Sequence, residues 1–213
     1  MPRSRKRPPP HARRPLPAGA AALRRLVTGN GRFVDSERLR DDPGRASLAQ
    51  LAKGQRPFAT ILGCSDSRVP PELLFDQGFG DLFIVRVAGN IVSAEVLGSL
   101  QYAGAHLETP LFVVLGHEGC GAVQAALVLK FRGAKARSRI AVLLRSILPG
   151  LRAVDPALPP DAQLRAAVEA NVRWSVHQLA ETPEGRRALA ERRGMLVGAV
   201  YELSTGHVRF LDL

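Results

Sequence analysis

Short apolar segments alternate with amphipathic segments along most of this chain, and the alternation predicts its architecture. Three apolar runs, at 58–63, 82–87 and 111–116, are rich in β-branched residues and lack polar alternation. This pattern is typical of parallel strands that are buried on both faces of a sheet. Between the second and third runs, apolar positions recur at helical spacing over 96–107, behind Ser93 as a capping residue. These segments predict a right-handed β-α-β unit.

The C-terminal half of the chain predicts two further helices and a hairpin. The helices are expected over about 119–131 and 161–179, with Asp161 capping the second one after two prolines. The segments 195–203 and 207–211 flank a Ser-Thr-Gly turn, which predicts a hairpin and a final antiparallel strand. The predicted fold class is therefore α/β, with a central, mainly parallel sheet that has an antiparallel edge strand and is flanked by helices.

Composition divides the chain into a short arm and one domain. The 213 residues are 46% hydrophobic, which is enough for one sizeable core. We expect a single domain over 20–213 and a disordered arm over 1–19, where prolines and basic residues replace apolar ones. The formal charge is +11, but the arm supplies six of these charges, and 11 minus 6 leaves +5. Since a basic run alone is weak evidence for a nucleic-acid site, we predict no specific nucleic-acid partner.

The apolar stretch at 18–23 bears on cellular location. It is shorter than the core of a signal peptide and runs directly into Arg24 and Arg25, so we predict no membrane span and no secretion. Cys64 and Cys120 are the only cysteines of the sequence. In a reducing compartment such a pair is more often metal-binding or catalytic than a structural disulfide. We therefore expect a cytoplasmic protein, and the Arg-rich, acid-poor start of the chain leaves an organelle transit peptide open as the alternative.

Three metal-ligating side chains follow the ends of predicted parallel strands. Cys64 comes directly after the first strand, and His117 comes directly after the third with Cys120 close behind it. Since ligands of α/β sheets bind at the carboxyl ends of parallel strands, these residues are expected to converge. A Cys2His set with one open position is typical of catalytic zinc. The sequence thus predicts one Zn2+ per chain on Cys64, His117 and Cys120.

An acidic and a basic side chain lie next to the first predicted ligand. Asp66 and Arg68 are two positions apart, so in an extended segment both side chains lie on one side and can pair. Beside a zinc ion, a carboxylate held by arginine can accept a proton from the metal's water and orient it toward a substrate. A different class remains open, a non-catalytic zinc or redox protein in which Cys64 and Cys120 form a disulfide.

These residues resemble the paired signature of the β-class carbonic anhydrases. The signature is carried by Cys64-Ser65-Asp66-Ser67-Arg68-Val69 and His117-Glu118-Gly119-Cys120-Gly121. The resemblance implies zinc on the two cysteines and the histidine, with Asp66 and Arg68 as the catalytic pair. The implied reaction is the reversible hydration of CO2 to bicarbonate and a proton. Hydrolysis of carbonyl sulfide or carbon disulfide on the same scaffold is the alternative that the sequence leaves open.

The resemblance also implies a substrate pocket and an oligomer. It implies that Gln55 and the backbone N–H of Gly121 help to bind CO2 or bicarbonate. It also implies that Phe83 and Tyr102 line a narrow apolar pocket. From the residues alone, plain core packing explains Phe83 and Tyr102 equally well. Members of the family are homodimers or multiples of dimers, with pocket residues contributed across the interface.

The resemblance further raises the question of regulation. Some members close their site at lower pH when the aspartate equivalent to Asp66 moves onto the zinc, so Asp66 is also a candidate metal ligand of a closed state. In an allosteric subgroup, bicarbonate in a second pocket stabilises that state, and a tryptophan three residues before the first ligand cysteine helps to build the pocket. Ile61 occupies that position here, and its aliphatic side chain has no N–H to donate. Arg86, at another position of that pocket, is then predicted to be a structural ion-pair or hydrogen-bond donor.

Overall fold

A computed structural model of the chain describes residues 18–37, 45–133 and 138–212. Most of the predicted arm, residues 1–17, lies outside the described residues. Its last two residues, Ala18 and Gly19, begin the first helix. Within the described part of the chain, no helix is both long and apolar enough to cross a membrane.

Five strands form one sheet in the order β2-β1-β3-β4-β5. The first four strands in this order are parallel, and β5 pairs with β4 in the antiparallel direction. The predicted α/β class and the antiparallel edge strand are therefore confirmed. The strands are β1 (Ala59–Gly63), β2 (Leu82–Arg86), β3 (Leu111–His117), β4 (Met195–Tyr201) and β5 (Val208–Leu211).

Helices surround the sheet, and the described residues contain eight α-helices and two short 3-10 helices, Ala88–Asn90 and Leu148–Leu151. Ser93 caps the helix between β2 and β3 as predicted, since its side chain accepts a hydrogen bond from the Val96 N–H. Asp161, in contrast, is not a cap: it lies in the first turn of its helix, after Pro160 at the start. The helices are α1 (Ala18–Val34), α2 (Arg45–Leu51), α3 (Pro71–Leu74), α4 (Ala94–His106), α5 (Gly121–Arg132), α6 (Ser138–Ile147), α7 (Pro160–Ala180) and α8 (Pro183–Ala190).

The core consists of two apolar layers, one on each face of the sheet. One layer joins the sheet to α4, α5, α6 and α7, and the other joins it to α1 and α3. Helix α7 lies close to β3 because Gly116 has no side chain, and a Cβ there would be 2.5 Å from a methyl group of Val172. This packing fixes the carboxyl ends of β1 and β3 relative to the helices around them.

The prediction that all three apolar runs are buried on both faces is wrong for β2. Strands β1 and β3 are buried almost throughout, but in β2 only Leu82 is buried and Arg86 is exposed. The reason is the strand order, which puts β2 at the edge of the sheet. The apolar run at 82–87 correctly predicted a strand, but it did not predict how much of that strand the rest of the chain buries.

Candidate active site

The carboxyl ends of β1 and β3 bring three metal-ligating side chains together. Cys64 directly follows β1, His117 is the last residue of β3, and Cys120 lies three residues beyond it. Their ligand atoms all lie within 4.8 Å of one another, and all three residues are buried. The convergence predicted from the strand ends is therefore confirmed, and it produces a group that can hold a metal ion.

The turn between His117 and Cys120 aims both side chains at the same point. Gly119 has a φ of +63°, a left-handed conformation that glycine adopts without steric cost. The N–H of Glu118 donates to the carbonyl of Tyr201 at 2.8 Å, which ties this turn to the neighbouring strand β4. Cys120 is the N-cap residue of α5, so its sulfur lies at the positive end of the helix dipole.

The hydrogen bonding of His117 leaves one ring nitrogen free for a metal. Because the Glu118 carbonyl can only accept, Nδ1 must donate to it, at 2.9 Å. Nε2 therefore carries the lone pair, and it is buried with no hydrogen-bond partner among the described residues. A buried polar atom without a partner is costly, and a metal ion bonded to Nε2 would remove that cost. This observation shows that the three side chains fit a metal.

The two thiols at the site differ in acidity. A hydrogen bond from the Cys120 thiol is the largest of the effects that lower the pKa of Cys64 to about 4 against the opposing effect of burial, and the N–H of Gly89 is one of the smaller contributors to that value. The same contact with Cys64, together with burial, raises the pKa of Cys120. Two sulfurs that share one proton in this way are suited to a dication, which would take both as thiolates.

Asp66 and Arg68 form a two-pronged ion pair beside this group. Arg68 Nε donates to Asp66 Oδ1 at 2.9 Å, its terminal nitrogen donates to Oδ2 at 2.8 Å, and its backbone N–H donates to Oδ1 at 3.0 Å. The side-chain hydrogen bonds of Arg68 hold the pKa of Asp66 far below its usual range, so the carboxylate is ionised. Asp66 Oδ2 lies 3.8 Å from His117 Nε2, which places the pair at the metal group, as predicted.

Arg86 links the backbone of Cys64 to the backbone of Asp66, a contact that the sequence did not reveal. Its Nε donates to the carbonyl of Cys64 at 2.9 Å and its terminal nitrogen donates to the carbonyl of Asp66 at 2.6 Å. The hydrogen-bond role predicted for Arg86 is confirmed, but its acceptors depend on strand pairing. Gly63 and Arg86 are register partners of β1 and β2, and only this register brings the guanidinium beside the loop after β1.

The residues predicted to bind the substrate lie on different segments of the described chain. Gly121 begins α5 directly after Cys120, so its N–H belongs to the helix terminus beside the metal group. Gln55, however, is exposed on the segment before β1. Phe83 and Tyr102 lie together at the β2 edge with ring centroids 6.2 Å apart, and Tyr102 is 48% exposed. Tyr102 is therefore not a core residue of the single chain.

Comparison with known proteins identifies relatives over most of the chain. A family model described as "Carbonic anhydrase" matches residues 59–208. The chain is 37% identical over 188 residues to a carbonic anhydrase of Mycolicibacterium smegmatis, covering 88% of this chain and 91% of that protein. It is 51% identical over 107 residues to carbonic anhydrase 2 of Mycobacterium tuberculosis, covering 50% of this chain and 52% of that protein.

Solved structures show the same likeness in three dimensions. The chain matches a Coccomyxa β-carbonic anhydrase in complex with acetazolamide with a TM-score of 0.72 at 28% identity, covering 89% of this chain and 86% of that one. It matches a β-carbonic anhydrase of the fungal pathogen Aspergillus fumigatus with a TM-score of 0.69 at 26% identity, covering 91% and 90% respectively.

Proposed function

This chain belongs to the β class of the carbonic anhydrase family, and from that premise we propose that it catalyses the zinc-dependent, reversible hydration of CO2 to bicarbonate and a proton. The observation that carries the proposal is the buried Cys64-His117-Cys120 group with the ion pair of Asp66 and Arg68 beside it. A structural metal site needs no ionised carboxylate next to its ligands, whereas a site that moves a proton does.

We assign zinc to the two sulfurs and to Nε2 of His117. When bound, the ion supplies Lewis acidity, which lowers the pKa of water and so generates a nucleophile for CO2 at mildly alkaline pH. The thiol side chains offer two negative charges and the histidine a neutral nitrogen, which together neutralise the dication. Three protein ligands leave one coordination position for the reaction.

The carboxylate of Asp66 takes the proton-handling role in this proposal. It is ionised and held by the guanidinium of Arg68 through both oxygens, so it can only accept a hydrogen bond at the site. Accepting one fixes the orientation of the attacking water and directs its remaining lone pair toward the carbon of CO2. Arg86 keeps this geometry by holding the carbonyls of Cys64 and Asp66.

A homodimer is part of the proposal, because the chain alone leaves an apolar strand edge partly uncovered. Phe83, Ile84 and Val85 of β2 are each only partly buried, and Tyr102 is exposed beside them. We propose that a second copy covers this edge, and that Gln55, Phe83 and Tyr102 serve a site across the interface.

The N–H of Gly121 would bind CO2 or bicarbonate within the chain. We assign the reaction to the cytoplasm, where ligand thiols stay reduced.

An assay of two substrates tests the function directly. We expect purified enzyme to hydrate CO2 rapidly and to hydrolyse carbonyl sulfide much more slowly at equal enzyme concentration. Stopped-flow measurement of proton release from CO2, alongside sulfide release from carbonyl sulfide, provides both rates. Faster turnover of carbonyl sulfide would make a sulfur compound the substrate, and no turnover of either would indicate a non-catalytic metal protein.

The activity of the unsubstituted enzyme should rise with pH toward mildly alkaline values. The nucleophile is the deprotonated form of water, and two thiolate ligands lower its pKa less than an all-histidine site does. Asp66 does not shape this rise, because its depressed pKa keeps it ionised over the whole range. Initial rates between pH 6 and pH 9 test this, and a flat profile would contradict the mechanism.

Bicarbonate should not shift that profile or make it cooperative. Ile61 is fully buried in β1 and offers no donor to an anion, and the guanidinium of Arg86 already donates to two backbone carbonyls. A second anion site would therefore lack the hydrogen bonds that offset desolvation. The same pH series with added bicarbonate tests this expectation, and a steep profile displaced to higher pH would show it to be wrong.

A further inference from the structure

A buried turn behind the metal group connects Cys64 to helix α7. The N–H of Gly89 donates to the sulfur of Cys64 at 3.3 Å. On the other side of the same residue, the carbonyl of Gly89 accepts a hydrogen bond from Nδ2 of Asn171 at 2.8 Å. Asn171 lies in α7 and is only 1% exposed. A chain of two hydrogen bonds thus runs from the helix to the thiolate.

The direction of the Gly89 N–H depends on the hydrogen bonds that hold this residue. Its φ of +69° is left-handed, and a Cβ at this position would lie 2.8 Å from Cδ1 of Ile147. Glycine is therefore the residue that fits, but glycine also has the greatest backbone freedom. The two hydrogen bonds fix the peptide groups on both sides of its Cα, and so they fix the direction of the N–H toward the sulfur.

We propose that Asn171 is a positioning residue for the metal centre, which acts by holding Gly89 so that its N–H points at the Cys64 sulfur. The inference rests on the proposed function, in which Cys64 is a zinc ligand. A hydrogen bond to a thiolate withdraws charge from the sulfur, so it tunes how strongly the ligand neutralises the ion. It also orients the sulfur lone pairs, and partners of this kind change metal affinity about 10- to 100-fold.

The hydrogen bonding of Asn171 itself favours this role over simple fold stabilisation. Its Oδ1 atom is buried with no hydrogen-bond partner among the described residues. A buried amide with one end unpaired costs free energy, so stability alone is a poor reason for it to be there. The other end of the same side chain makes the contact that leads to Cys64.

Ser175, one turn further along α7, provides a matched control. Its Oγ donates to the carbonyl of Asn90 at 3.0 Å, and Ser175 is as deeply buried as Asn171. The N–H of Asn90, however, donates to the carbonyl of Val87 and not to the sulfur. Ser175 therefore holds the same turn through Asn90, and it makes no hydrogen bond to Gly89, whose N–H donates to the Cys64 sulfur.

The experiment compares Asn171→Leu and Asn171→Ala with Ser175→Ala. Zinc affinity is measured by competition with a chromophoric chelator, and the cobalt-substituted proteins are compared by their thiolate-to-cobalt charge-transfer bands. Both Asn171 variants should bind zinc about 10- to 100-fold more weakly and shift the bands. Ser175→Ala should stay close to the unsubstituted protein in both measurements. Thermal unfolding of each variant records any loss of stability.

The possible outcomes separate this inference from the proposed function. If the unsubstituted protein binds no zinc, the proposed function fails and the inference fails with it. If it binds zinc but the Asn171 variants match Ser175→Ala in affinity and spectrum, only the positioning role is wrong. Loss of the fold in both Asn171 variants would also overturn the inference, because it would show that Asn171 acts through stability alone.

Discussion

Replacing Cys64 with serine or His117 with alanine is expected to remove most of the zinc, which the unsubstituted protein should hold at one ion per chain. Each change leaves two of the three protein ligands. A two-ligand remnant competes poorly with water and chelators, because the affinity of a buried site depends on the full, deprotonated donor set. Metal analysis of the purified variants, performed after dialysis against a chelator, measures the loss.

An exposed histidine supplies the control for this experiment. His207 lies in the turn before β5, with its side chain in solvent, and outside the metal group. His207→Ala should therefore keep a full complement of zinc, as should the unsubstituted chain. Complete retention of zinc by Cys64→Ser or by His117→Ala would contradict the ligand assignment.

The sequence was sufficient to predict the metal group because its signals are local. An apolar, β-branched run predicts a buried strand, and the position directly after a parallel strand lies at the ligand-binding edge of the sheet. Cys64 and His117 both lie at such positions, so their convergence follows from two strand ends. Asp66 and Arg68 are two residues apart, and their pairing also depends on one short segment.

The remaining features depend on contacts between distant segments, which no local pattern encodes. Arg86 reaches Cys64 only through the register of β1 and β2, and Asn171 reaches Gly89 only through the packing of α7. The exposure of the β2 edge follows from strand order and not from the composition of the strand. For Phe83 and Tyr102, even the folded chain is insufficient, because the proposed pocket needs a second copy.

Asp66→Asn is expected to keep its zinc and to lower the rate of CO2 hydration by about 10^2 to 10^4, the usual contribution of a proton-accepting group. Asparagine has nearly the same shape, but its neutral amide is a much poorer proton acceptor. It also presents N–H donors, so it can orient the water wrongly. Stopped-flow rates and metal analysis on the same preparations separate loss of catalysis from loss of the ion.

Arg68 allows the role of the ion pair to be divided into charge and geometry. Arg68→Lys keeps a positive charge near Asp66 but loses the fork that bonds both of its oxygens, whereas Arg68→Ala loses both. Since the hydrogen bonds of Arg68 are the main cause of the depressed pKa of Asp66, that pKa should rise toward its ordinary value in Arg68→Ala. The carboxylate stays ionised at neutral pH even then, so any loss of rate there reports lost orientation.

Ser67→Ala supplies the control for both sets of variants. Ser67 is exposed and lies between Asp66 and Arg68, and its replacement should retain the unsubstituted rate. An Asp66→Asn enzyme that is fully loaded with zinc and as fast as the Ser67→Ala control would show that the carboxylate takes no part in the reaction.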